Sequence, residues 1–260
     1  MPITSKQIGD FLGRYREFAK GIEQSHFAKI ASDFDRIKPG IKGTLDRAYE
    51  SDRKTALNFN IFELLGVERV EAKHSRLLAD LLDPRGSHGQ GPFFLNNFLR
   101  FCESKVSGFP PALLEREVTR SDFVFVKTEL YSGYGRPDIV AVSHEPAFAL
   151  IIENKIDAGD QDQQLERYWR LLERGFAFTG RRRALLYLTP SGRLPDERKK
   201  IPADVRYWCI SYATHINEWL RSCIDGRPSR LQQIMMQYAE VVAQLVSEQE
   251  LRRENDEQQP

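Results

Sequence analysis

Residues 136–168 read RPDIVAVSHEPAFALIIENKIDAGDQDQQLERY. Two apolar runs, at 139–142 and 148–152, flank the turn-like Ser143-His144-Glu145-Pro146. The runs are short, rich in Val, Ile and Phe, and joined by a proline-containing loop, which predicts a β-hairpin. Each run carries charge at one end only, with Asp138 ahead of the first and Glu153 and Lys155 closing the second. Side chains alternate across a strand, so Glu153 and Lys155 share a face. If Ser143 pairs with Phe148, Asp138 lies opposite Glu153, with Cα atoms about 4.5–5.5 Å apart. Two carboxylates and an ammonium then converge at the rim of an apolar sheet.

Charges at the end of a buried strand are costly unless they are paired or bind a metal. One reading is a structural ion pair between Lys155 and either acid. The other is a site for a hard divalent cation and phosphate oxygens. The order Pro137-Asp138, then Glu153-Asn154-Lys155 on an apolar strand, resembles the PD-(D/E)XK nuclease superfamily. Gln164 and Tyr168, four positions apart on the next predicted helix, resemble the Q-x-x-x-Y element of its RecB-like branch. The resemblance implies an α/β fold of the restriction-endonuclease-like kind, a mixed sheet flanked by helices, here with extra N- and C-terminal helices. It implies metal-dependent hydrolysis of phosphodiester bonds in nucleic acid, DNA in the first place, and at the family level a role in bacterial defence or restriction. Asp138, Glu153 and the main-chain carbonyl of Asn154 would hold Mg²⁺, or Mn²⁺ in its place. Lys155 would orient or deprotonate the attacking water, and Gln164 and Tyr168 would position substrate or water.

The 260 residues suffice for one large domain or a core with added helical layers. A hydrophobic content of 41% with 29% charged residues describes a soluble globular chain without a membrane-spanning run. The opening MPITSKQIGDFLGRYREF has no apolar core of a signal peptide, so a cytoplasmic protein is expected. Cys102, Cys209 and Cys223 are scattered without C-x-x-C spacing, which fits reduced thiols and not a zinc site. A net charge of +1 leaves nucleic-acid binding to local basic patches.

Outward from the hairpin, the spacing Ile8, Phe11, Tyr15, Phe18, Ile22 predicts an N-terminal helix, and the stripe fades before Pro39-Gly40. A short helix at 61–65 ends on Gly66, and a second runs from about 70 to 82. Glu71 and His74 lie on adjacent turns of that second helix. In this superfamily the preceding helix lends an acidic residue to the metal in several branches, which makes Glu71 a candidate ligand, directly or through water. The competing reading is a charge favoured by the helix N-terminus. The E-x-x-H-S run followed by L-L-D-P resembles one bacterial branch in particular. His74 reads as a structural hydrogen-bonding group, and His88 as a loop residue able to approach substrate.

Residues 122–130 alternate as a strand that is apolar on both faces up to Val126, and so should be internal. A helix over 160–173 follows the hairpin, then strands at 184–188 and 205–212, a helix from Thr214, and a last helix striped by Leu231, Ile234, Tyr238, Val241 and Leu245. The tail from Glu248 lacks an apolar face and is expected to fray. The predicted layout is an N-terminal helical layer (1–59), a nuclease core (60–220) and a C-terminal helix with its tail (221–260). The terminal stripes could pack on each other or join a homodimer. Basic residues gather at 181–183 and 193–200 and at Arg167, Arg170 and Arg174, bordering the site, where phosphate contact competes with plain solvation. Two other functions stay open: a catalytically silent nucleic-acid-binding protein on a nuclease fold, and a glycosidase using Asp138 and Glu153 as acid and base, for which Lys155 has no use.

Overall fold

The computed structural model describes residues 59–257 except 111, 112, 114, 181 and 197–199, with scattered positions before 59, and beyond 245 the main chain only. The predicted N-terminal stripe from Ile8 to Ile22 lies outside the described residues. The chain divides into two compact units, Met1–Phe59 and Asn60–Pro260. The second unit holds everything that follows.

The hairpin forms as strands β2 (Ile139–His144) and β3 (Ala147–Asn154), in the register Ser143↔Phe148 through Ile139↔Ile152. Strand β1 (Val124–Thr128) adds antiparallel to β2, while β4 (Arg183–Thr189) and β5 (Trp208–Ser211) add parallel beyond β3. The result is a five-stranded mixed sheet in the order β1-β2-β3-β4-β5.

Alternation sorts the strand side chains into two cores. Ile139, Ala141, Leu150, Ile152, Leu186 and Leu188 face one of them. Helices α2 (Glu71–Leu82) and α3 (Phe93–Lys105) cover that side, together with α5 (Asn217–Ser222) and α6 (Ser229–Glu257). Val140, Ala149, Ile151, Leu185 and Tyr187 face the smaller second core, closed by Leu165, Tyr168 and Trp169 of α4 (Gln164–Arg170). Being covered on both faces, β3 is a nearly continuous apolar run. The first helix, α1 (Ile61–Leu64), is capped by the Asn60 side chain, which accepts from the Phe62 amide, and Gly66 leaves it with φ +62°. No helix among the described residues is long and apolar enough to cross a membrane.

Four local expectations change. Strand β1 is an edge strand, not internal: Phe123 and Phe125 are 64% and 37% exposed, so their apolar character does not serve the core. Helix α4 starts at Gln164 and not at 160, because Asp160 accepts from the Tyr187 hydroxyl (2.5 Å) and the Asp196 amide (2.7 Å), holding residues 160–163 out as a loop. Strand β5 begins only at Trp208. Helix α6 continues to Glu257 past the expected fraying point, and its last turns consist of good helix formers such as Glu, Gln, Leu and Arg.

The layering sets an expected contrast in stability. Leu150→Ala, at the centre of the sheet and fully buried, should cost about 2–5 kcal/mol in urea unfolding. Phe125→Ala on the edge strand should cost about 1 kcal/mol or less. Equal losses would contradict the edge placement of β1.

Candidate functional site

The register decides where the charges meet. One step beyond the Ile139–Ile152 pair, Asp138 stands opposite Glu153, on the face of the second core. The Asn154 amide donates to Asp138 Oδ2 at 2.7 Å, which ties the two strand ends together. The Lys155 amide donates to the Leu188 carbonyl at 2.8 Å, extending the parallel ladder by one residue. All three acid and base side chains of the motif therefore sit on rigid strand ends.

Glu153 is 1% exposed, and its two carboxylate oxygens have different surroundings. Oε1 accepts from Lys155 Nζ at 2.9 Å and from Gln164 Nε2 at 2.7 Å. Oε2 is buried and no donor group among the described residues reaches it; the one interaction open to the pair without a cation is a shared proton between Glu153 and Asp138. Burial raises the pKa of Glu153 to about 8, and the neighbouring Asp138 carboxylate adds to the rise. Asp138 is raised too, by burial above all, although the Asn154 amide and Lys155 pull it down. For Lys155 burial favours the neutral amine, but Glu153 and then Asp138 outweigh it, and the net shift is upward. The resting lysine is therefore an ammonium.

Helix α4 delivers the next pair. Gln164 and Tyr168, one turn apart, are both buried, and Gln164 Nε2 reaches the Tyr168 hydroxyl at 3.3 Å as well as Glu153. Burial, followed by the Glu153 charge, raises the Tyr168 pKa. Gly135, which leads into the Arg136-Pro137-Asp138 motif, has a role that its position in the sequence does not reveal. Its φ is +119°, and a Cβ there would meet Tyr168 Cε1 at 3.1 Å, so only glycine lets the ring lie against the loop before Asp138.

Glu71 approaches from the opposite layer. Its Oε1 accepts from three successive amides, Ile156 (2.7 Å), Asp157 (3.1 Å) and Ala158 (3.0 Å). It thereby fixes the turn just after Lys155, and its charge is felt at both Asp138 and Lys155. The Asn154 side chain points away from the carboxylates and is fully buried. It donates to the Glu71 carbonyl and Ser75 Oγ, both at 3.1 Å, and accepts from the Tyr212 hydroxyl at 2.9 Å. Sequence reasoning gave no role to Ser75, although it ends the E-x-x-H-S run, and missed Tyr212, which lies 58 residues beyond Asn154 and carries no motif.

The histidines serve structure. His74 bridges the Tyr238 hydroxyl (2.9 Å) and the Glu68 carbonyl (2.8 Å), and burial lowers its pKa. His88 Nε2 bonds the Asp83 carbonyl at 2.9 Å, and its Nδ1 accepts from the Gln90 amide at 2.9 Å, closing its own loop. The basic runs are largely engaged as well. Arg182 pairs with Glu115, Arg183 with Glu173 (3.6 Å), Arg193 with Asp196 (3.0 Å), and Arg170 with Asp204 (2.7 Å). Arg181, Arg198 and Lys199 lie outside the described residues.

The donor set suits the divalent ion that the motif implies. Two hard carboxylates press together, both holding protons more tightly than usual, and Glu153 Oε2 lacks a donor, a place that a cation would fill. No group of three or more His, Cys, Asp or Glu side chains gathers to hold a metal among the described residues. The carboxylate pair would thus depend on main-chain oxygen, water and substrate to complete a shell.

The raised Glu153 sets a pH dependence. Its folded pKa of about 8 exceeds the ordinary 4.5, so the folded state binds the extra proton between those values. Its contribution to stability is full below about pH 4.5 and is lost as pH rises through about 8, by at most ~1.4 kcal/mol per pH unit. In chelator-treated protein, urea unfolding across this range should show the decline for the native chain and a flatter profile for Glu153→Gln. Parallel profiles would mean that Glu153 is not perturbed.

Comparison with known proteins bears on this geometry. A family model described as the PD-(D/E)XK nuclease superfamily matches residues 59–240. No curated protein and no solved structure matched the chain. The family match spans the whole sheet and every residue of the carboxylate–lysine cluster. The chain belongs to the PD-(D/E)XK nuclease superfamily.

Proposed function

We propose that the chain is a Mg²⁺-dependent nuclease hydrolysing phosphodiester bonds, with DNA as its substrate and Mn²⁺ able to replace Mg²⁺. The observation that carries this reading is the donor-free Glu153 Oε2 beside Asp138, with Lys155 and Gln164 both on Oε1. A divalent ion held by Asp138, Glu153 and the Asn154 carbonyl would supply an activated water and polarise the phosphoryl oxygen. Gln164 donates to Glu153 Oε1 and so fixes which carboxylate oxygen stays available. Tyr168 backs Gln164. Lys155 is protonated at rest, so its part is to donate to the phosphate and offset the charge that develops there. Glu71 holds the turn after Lys155 and contributes its charge to the site. The Gln164–Tyr168 pair, in contact with Glu153, supports placement in the RecB-like branch. The core would span 60–220, with 1–59 and 221–260 as additions. A cytoplasmic role in bacterial defence or restriction, and a homodimer through the terminal helices, complete the proposal.

A second reading has one observation in its favour. The Lys155–Glu153 ion pair at 2.9 Å closes the site on itself, as a silent nucleic-acid-binding protein would allow. Cleavage of linear, circular and single-stranded DNA and of RNA, with Mg²⁺ and with chelator, decides between the two. Chelator-sensitive cleavage is expected. Asp138→Asn should lose metal binding and cleavage together. Lys155→Ala should keep metal binding and lose about 10²–10³ in rate, the scale of one electrostatic donor. Near-normal turnover of Lys155→Ala would make the lysine a structural partner only.

A further inference from the structure

The sheet face that carries Asp138 and Glu153 is only partly covered. Helix α4 and the turns after it close β3 and β4, but over the edge strand the face is open. Phe125 pairs with Val142 and Lys127 with Val140, so both side chains stand on the same face as Asp138. Phe123, two residues earlier, is 64% exposed and lies beneath the Arg85 guanidinium, 4.4 Å from its ring centroid. Across the groove, His144 is stacked flat on Phe178, with centroids 3.7 Å apart and planes at 10°, and Phe178 is itself 41% exposed. These rings border a groove of about 640 Å³.

Exposed aromatics need no explanation singly, but a set of them bordering one groove on the motif's own face does. The row has a direction. Phe125, Lys127 and the carboxylate pair follow one another along the strand, and at about 3.4 Å per residue the four positions from Val142 to Asp138 span roughly 14 Å. The charges on and around the groove are close to balanced, Arg85 also lying 3.8 Å from Asp83, so they do not repel an anionic chain. Arg116 neutralises Asp122 through two short contacts of 2.6 and 2.9 Å, Arg85 caps Phe123, and exposed Lys127 makes no ion pair among the described residues, leaving Glu145 as the acidic group on the rim.

We infer that this groove is a stacking platform for single-stranded nucleic acid, holding unpaired bases a few nucleotides from the phosphate bound at Asp138 and Glu153. The inference rests on the nuclease reading above. Aromatic rings take any base on their faces, and a lysine between them and the site tracks the backbone, the combination that single-strand binders use. Duplex DNA, whose bases are already stacked, gains nothing from the rings.

The test uses the full-length chain with Phe125→Ala, Phe178→Ala and Phe125→Trp, each checked by thermal unfolding. Fluorescence anisotropy is read with a labelled oligothymidine long enough to reach the groove and with a duplex of the same length. Cleavage is read on the same oligothymidine and on bis(p-nitrophenyl) phosphate, which cannot reach the groove. The alanine variants should bind the single strand about tenfold more weakly, within the range for losing one stacked base. Duplex affinity and small-substrate turnover should not change, and Phe125→Trp should bind as the native chain does. Unchanged single-strand affinity in both alanine variants, with cleavage intact, overturns the platform and leaves the nuclease reading standing. Equal loss on single strand and duplex also overturns it, as does a dimer in light scattering that Phe125→Ala dissociates, since a second copy would then fill the groove. If the native chain neither binds nor cleaves any nucleic acid, the nuclease reading itself falls, and the platform with it.

Discussion

Two carboxylates buried against each other at the open end of a hairpin are the constraint on which the site depends. Asp138 and Glu153 are brought together by strand register alone; burial raises the cost of ionising each, and the Asp138 charge raises it further for Glu153. Every nearby polar group answers that repulsion. The Asn154 amide takes one oxygen of Asp138, Lys155 and Gln164 take one oxygen of Glu153, and Glu153 Oε2 is left without a donor. A site built this way stores a place for positive charge.

The support behind it comes from the other face of the sheet. Residues 153–155 alternate, so while Glu153 and Lys155 face the second core, Asn154 reaches into the first. There its amide is saturated by the Glu71 carbonyl, Ser75 and Tyr212. A buried polar group satisfied on three sides fixes the strand end in a way apolar packing would not. Glu71 then pins the three amides that follow Lys155. Helix α2 thus locks both the middle and the exit of the motif, and the C-terminal helix joins it through Tyr238 and His74.

The hairpin was legible in the sequence because alternation leaves little freedom once one face is buried: shifting the register by one residue would send Ile139 and Ile152 to the wrong side. The four-residue spacing of Gln164 and Tyr168 was legible for the same reason on a helix. Edge position was not. Phe123 and Phe125 look like core residues, and nothing local says that β1 has no neighbour beyond it. The start of α4 was misplaced because Asp160 finds its partners at Tyr187 and Asp196, far along the chain. Ser75 and Tyr212 could not be read either, since their shared partner, Asn154, is 79 and 58 residues away. A polar residue in an otherwise apolar strand does signal that such partners must exist. Only the fold says which ones.

The central claim is that Asp138 and Glu153 together hold a divalent cation. A crystal soaked in Mn²⁺ and measured at the manganese absorption edge tests it most directly. The account predicts one anomalous peak bounded by oxygens of both carboxylates, at the distances of a hard octahedral ion, about 2.0–2.2 Å, with Glu153 Oε2 among its ligands. A fully soaked crystal with no peak there, and Lys155 Nζ still on Glu153, would contradict it.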